Sequence, residues 1–166
     1  PNESMSSEGE KARNERAAFQ RFAERTGTSQ DWLSIESRKP KEPDLLCLHR
    51  ETGAVAFELV RICDPNIAQI LAAGNEANQI GFFTGDPSER IIRNKLKKTY
   101  VTPHPMELLI YSEDVVITPD NVIIPTILPW FDAMSHSFRR AWFMSEMAVR
   151  CIWSTDLPTV NTSATR

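Results

Sequence analysis

The chain has 166 residues, 41% of them hydrophobic and 25% charged, with a formal net charge of -3 and a pI near 5.7. That length suits one domain whose core needs neither disulfides nor a structural metal. The charge balance neither supports nor excludes a nucleic-acid partner, because a local basic patch can hold one.

Cys47, Cys63 and Cys151 lie in apolar runs without CxxC spacing. They are expected as buried free thiols, not as zinc ligands or a disulfide framework. No run approaches the ~18 apolar residues of a membrane span and no secretory h-region is seen, so the expectation is a cytoplasmic protein without membrane contact. Residues 1–10 are polar and expected to be disordered, with PNES before Met5 left out of the fold. Residues 11–154 are expected to form the domain and 155–166 a flexible tail.

EKARNERAAFQRFAERTG carries Ala12, Phe19, Phe22 and Ala23 on one stripe and ends at Gly27, the pattern of an amphipathic helix. Glu15 lies four residues before Phe19, on the stripe that faces inward. DWLSIES, residues 31–37, alternates as a half-exposed strand does. DLLCLH and AVAFELVRIC follow, joined by RETG, whose glycine suits a tight hairpin. Both are apolar on both alternating faces, as central, doubly covered strands are. Each nevertheless carries one carboxylate: Asp44 after Pro43, and Glu58 between Phe57 and Leu59.

NIAQILAAGNEANQ, beyond the Asp64-Pro65 breaker, reads as a short helix, and GFFTGDP as a loop. SERIIRNKLKKTY reads as a second helix, with Asp86 as N-cap, Pro87 at the first helical position and Glu89 at the third. Ile92, Leu96 and Thr99 form its inward stripe. Arg90, Arg93, Asn94 and Lys97 form a polar, mostly basic outer face, and Lys95 and Lys98 lie along one flank. MELLIYSE is a further strand. DVVITPDNVIIPTIL is expected to be extended, because its prolines cannot donate to a central ladder. WFDAMSHSFRRAWFMSEMAVRCIWS is expected to form a long C-terminal helix with more apolar surface than one stripe needs, enough to pack on the sheet and serve a homodimer. His49, His104 and His136 show no ligand spacing.

The string helix, strand, strand, strand, helix, strand, with Pro43-Asp44 on one strand and Glu58-Leu59-Val60 beyond a hairpin, resembles the restriction-endonuclease-like, PD-(D/E)XK, nuclease superfamily. The resemblance covers about the first two-thirds of the chain. It implies an α/β domain with a central mixed sheet flanked by helices, the αβββαβ core. It also implies a nuclease that cleaves DNA or RNA with Mg²⁺ or Mn²⁺ held by Asp44 and Glu58, with Glu15 as a further ligand. Two neighbouring buried carboxylates stay ionised together only with a cation between them, and Mg²⁺ takes oxygen ligands and phosphate. One departure stands out: Val60 occupies the place of the family lysine, and valine cannot position water or add positive charge. Some members carry that lysine on the following helix, which makes Lys95, and after it Lys98, the catalytic candidates. The alternative is a degenerate member that binds nucleic acid or protein without cleaving it.

Overall fold

The computed structural model describes residues 7–62, 87–112 and 120–156. In these segments the chain forms a mixed α/β fold in which one six-stranded sheet separates two apolar cores.

Helix α1, Ser7–Arg25, buries Glu15, Ala18, Phe19, Phe22 and Ala23, the spacing of a single helical face. It therefore starts inside the stretch expected to be disordered. Its end is set by Gly27 at φ 72°, with Thr28 N–H donating to Ala23 O at 2.8 Å and Gly27 N–H to Glu24 O at 3.1 Å. Those paired bonds satisfy the last carbonyls of the helix. A single 3₁₀ turn, Ser29–Asp31, leads to β1, Trp32–Ser37.

Strands β2, Leu45–His49, and β3, Gly53–Arg61, form the expected hairpin, with His49 opposite Gly53. Gly53 has φ 84°, a conformation that side chains resist. His49 Nδ1 accepts from Glu51 and Thr52 N–H at 3.2 and 3.3 Å, which closes the turn. Helix α2, Pro87–Lys97, precedes β4, Met106–Tyr111, and helix α3, Asp120–Ala133, precedes β5, Phe138–Met144, and β6, Val149–Ser154. The sheet order is sequential, β1 to β6. The β3–β4 and β4–β5 pairs are parallel and the other three antiparallel. The parallel pairs at the centre explain the unbroken burial of β4.

Side-chain alternation along β3 divides the two cores. Val55, Phe57 and Leu59 join Phe19 and Phe22 of α1, with the Phe19 and Phe57 rings edge to face at 4.9 Å. Ala56, Val60 and Ile62 join Ile92 and Leu96 of α2 and Ile123, Ile127 and Phe131 of α3. Glu58 lies in the second row, among these apolar neighbours.

Two expectations for the C-terminal third are corrected. Residues 120–128 are helical, not extended: Pro125 and Pro129 sit one turn apart on the exposed face of α3, while Ile123, Ile127 and Phe131 point into the core. The backbone bonds that the prolines forgo lie on the solvent side. The long C-terminal helix does not form either. The helix stops at Ala133, and the rest is the β5–β6 hairpin. Phe138, Ala141 and Phe143 fill one core and Met144 the other, with Trp142 packed against it. The apparent excess of apolar surface is that of a strand covered on both faces, so it no longer argues for a homodimer. The junction is tied by His136, whose Nε2–H donates to Phe131 O at 2.9 Å while Nδ1 accepts Phe138 N–H at 3.2 Å.

The helix expected in NIAQILAAGNEANQ, the GFFTGDP loop, the Asp86 cap and Cys63 lie outside the described residues. Cys47 is a buried free thiol, and Cys151 is a half-buried one. Among the described residues no helix is long and apolar enough to cross a membrane.

Candidate functional site

Leu45 is opposite Phe57 in the β2–β3 ladder, so the next position outward sets Asp44 across from Glu58. The two residues lock each other through the backbone. Glu58 Oε1 accepts the Asp44 N–H at 3.0 Å, and Asp44 Oδ2 accepts the Leu59 N–H at 2.9 Å. Both rotamers are thus fixed by main-chain donors on rigid elements. Glu58 is 1% exposed.

The last turn of α2 supplies positive charge. Lys95 Nζ donates to Glu58 Oε2 at 3.0 Å, and Lys98 Nζ lies 3.8 Å from the same oxygen. Lys98 also sits over the Tyr100 ring, 5.2 Å from its centroid. The Tyr100 hydroxyl donates to Lys95 O at 3.4 Å and faces Glu58. From the opposite layer, buried Glu15 of α1 comes beside Asp44 at the end of the sheet. Glu15, with Leu59, Arg61 and Tyr111, also lines an open groove on the α1 side.

The electrostatics follow from burial. Loss of water pushes the Asp44 carboxyl above its usual range, its bonds to Glu58 and Leu59 N–H pull it back, and the Glu15 charge pushes it up again. Burial likewise raises Glu58, Asp44 raises it further, and Lys95 and Tyr100 act the other way. Tyr100 is driven upward by its own burial and by the Glu58 charge, so it stays a hydroxyl donor. Among the described residues, no set of three or more His, Cys, Asp or Glu side chains is arranged to hold a metal ion.

All five residues singled out from the sequence therefore meet: Asp44, Glu58 and Lys95 in direct or backbone-mediated contact, Lys98 at the edge and Glu15 behind Asp44. Arg93, assigned to the open basic face of α2, is instead half-buried, with its guanidinium 4.4 Å from the Trp130 ring centroid on α3. Tyr100 is the participant that sequence reasoning missed, although it stands five residues beyond Lys95 at the helix exit.

A second buried carboxylate behaves differently. Glu107 of β4 takes both bonds of an Arg139 fork on Oε2, at 3.0 and 2.8 Å, and Trp142 Nε1–H on Oε1 at 2.7 Å. It is saturated by protein donors and serves the core. No protein-family model, curated protein or solved structure matches the chain.

Proposed function

We propose that this chain is a divalent-metal-dependent nuclease of the restriction-endonuclease-like type, hydrolysing phosphodiester bonds in DNA or RNA. One observation carries the reading: an ammonium from α2, that of Lys95, rests 3.0 Å from a Glu58 carboxylate oxygen, although the strand position for that charge holds Val60. The element order supports it as well, with α1 followed by the β1–β2–β3 meander, α2, and β4 parallel to β3.

The donor set fits Mg²⁺ or Mn²⁺ in chemistry. Asp44 and Glu58 offer carboxylate oxygens, and Mg²⁺ commonly binds through one or two carboxylates, waters and substrate phosphate instead of a full protein cage. Asp44 and Glu58 would hold the ion, with Glu15 as the outer carboxylate. Bound there, it would supply an acidified water and neutralise charge developing on phosphorus. Lys95 orients the attacking water and adds charge beside the phosphate, Lys98 faces the phosphate from the open side, and the Tyr100 hydroxyl holds the Lys95 backbone in place.

Val60 favours a second reading, a module that binds nucleic acid without cleaving it. Its side chain is 2% exposed inside the α2–α3 core and has no catalytic capacity. Mn²⁺ calorimetry and cleavage of DNA and RNA in Mg²⁺ separate the two. The nuclease reading expects Asp44→Asn and Glu58→Gln to lose both Mn²⁺ binding and cleavage, and Lys95→Ala to keep Mn²⁺ while cleaving about 10²-fold more slowly or worse. An unchanged rate in Lys95→Ala removes the lysine from the mechanism. Absence of cleavage by the native chain, with nucleic-acid binding unaffected by Asp44→Asn, establishes the binding module.

A further inference from the structure

The loop that delivers Asp44, residues 38–43, has an unusual backbone. Lys41 adopts φ 81°, and it is the only non-glycine residue with positive φ among the described residues. Glycine, asparagine or aspartate is the ordinary occupant of that conformation, because other side chains crowd the neighbouring carbonyl. The conformation is imposed from both sides: Arg38 N–H donates to Asp44 O at 2.9 Å across the loop, and Lys41 O accepts Val101 N–H at 2.6 Å from the segment leaving α2. Such strain persists only where surrounding contacts over-determine it, and it clusters at functional sites.

The charge in the loop is sorted. Arg38 binds Glu42 at 2.9 and 3.1 Å and Glu36 at 2.7 Å, which occupies the loop's arginine with its own acids. Lys39 and Lys41 are both exposed, and their ammonium groups have no partner among the described residues. The Lys41–Val101 bond brings this loop against the exit of α2, where Lys97 is also exposed. The loop that delivers Asp44 is thus tied through the backbone to the segment that follows α2, four residues beyond Lys97.

We infer that Lys41, with Lys39 and Lys97, forms a phosphate-binding rim that seats a nucleic-acid backbone across the site. The inference rests on the nuclease reading for the identity of its ligand, and it assigns the strand contact to residues outside the chemistry. Phosphate contacts of this kind fix position and carry no sequence information.

The test uses the full chain and fluorescence anisotropy with a labelled DNA duplex and an RNA strand of matching sequence, over a range of salt. Lys41→Gly and Lys97→Gln should each weaken binding severalfold and flatten the log–log salt dependence by about 0.9 for the duplex or about 0.7 for a single strand. Lys41→Gly should melt no lower than the native chain, because glycine relieves the backbone, and Lys41→Arg should restore affinity. Affinity and salt dependence unchanged in Lys41→Gly and Lys97→Gln overturn the rim, as does failure of the native chain to bind either probe. Cleavage measured in parallel with Asp44→Asn keeps the two ideas apart. If that substitution abolishes cleavage while the rim variants bind normally, the rim falls and the nuclease stands. If nothing cleaves yet the rim variants bind weakly, the rim stands alone.

Discussion

Replacing Lys95 by methionine keeps most of the side-chain stem and removes the charge that sits on Glu58. Taking one partner from a buried ion pair costs about 3–5 kcal/mol. Three features reduce that figure here. Lys95 is 25% exposed, Lys98 stays 3.8 Å from the same oxygen, and Glu58 can take up a proton. At an effective dielectric constant near 20, charges 3.0 and 3.8 Å apart attract by about 5.5 and 4.4 kcal/mol before desolvation, so the second ammonium replaces much of the first. The net loss expected is about 1–2 kcal/mol near pH 8.

The pH dependence identifies the cause. Burial and Asp44 hold the Glu58 pKa up, and Lys95 is the leading influence holding it down. Without Lys95 the folded-state pKa rises further. The ion pair therefore contributes where Glu58 is ionised, above the carboxylate range, and its contribution disappears as pH falls through that range. Urea denaturation should show Lys95→Met weaker than the native chain at about pH 8 and level with it near pH 4, where the carboxyl is neutral. Equal deficits at both values would show that only stem packing was lost. No deficit at the higher pH would mean that the ammonium does not stabilise Glu58, and the catalytic assignment would lose its structural basis.

Asp44→Asn should stabilise the chain. The folded-state pKa of Asp44 is raised, chiefly by burial, so its ionised form penalises the fold above the usual carboxylate range. The amide avoids that penalty and can still accept the Leu59 N–H, so a gain of about 1 kcal/mol is expected at neutral pH, fading below the carboxylate range; a lower melting temperature at neutral pH would contradict this. Glu107→Gln should cost about 2–3 kcal/mol, less than a fully buried pair because Arg139 is 33% exposed. Its turnover below the melting transition should match that of the native chain, and a specific loss of turnover would place Glu107 in the site.

How much was legible follows from which signals are local. The α1 stripe, the β2–β3 hairpin and Ile92 with Leu96 on α2 come from periodicity and a turn glycine, and each was readable, whereas Thr99, read onto the same stripe, lies past the helix end and is exposed. The Asp44–Glu58 juxtaposition was readable too, because hairpin register follows from the turn and needs no distant partner. Lys95 came from the family resemblance, which allows the lysine on the following helix, together with its place beside Ile92 on that helix. The C-terminal third was not readable. Prolines are usual helix breakers, and only the spacing of Ile123, Ile127 and Phe131 reveals that Pro125 and Pro129 share the outer face. A strand covered on both sides is apolar without period, so Phe138 to Met144 could not be told from a buried helix.

Glu58 and Glu107 show why a buried acid in a strand is ambiguous until its partners are known. AFELV and MELLI carry the same sequence signal, and both glutamates are almost wholly excluded from water. The difference lies in who answers the charge. Glu107 receives a two-pronged guanidinium and an indole N–H, a set with fixed geometry and no further demand. Glu58 receives one backbone N–H and two lysine ammonium groups that are themselves partly exposed, while Asp44, and behind it Glu15, adds negative charge nearby. A guanidinium fork is hard to displace, whereas ammonium groups on flexible stems exchange one oxygen for another at little cost. The first arrangement is built to stay closed. The second leaves negative charge held in place, on rigid strands, against ammonium groups on flexible stems.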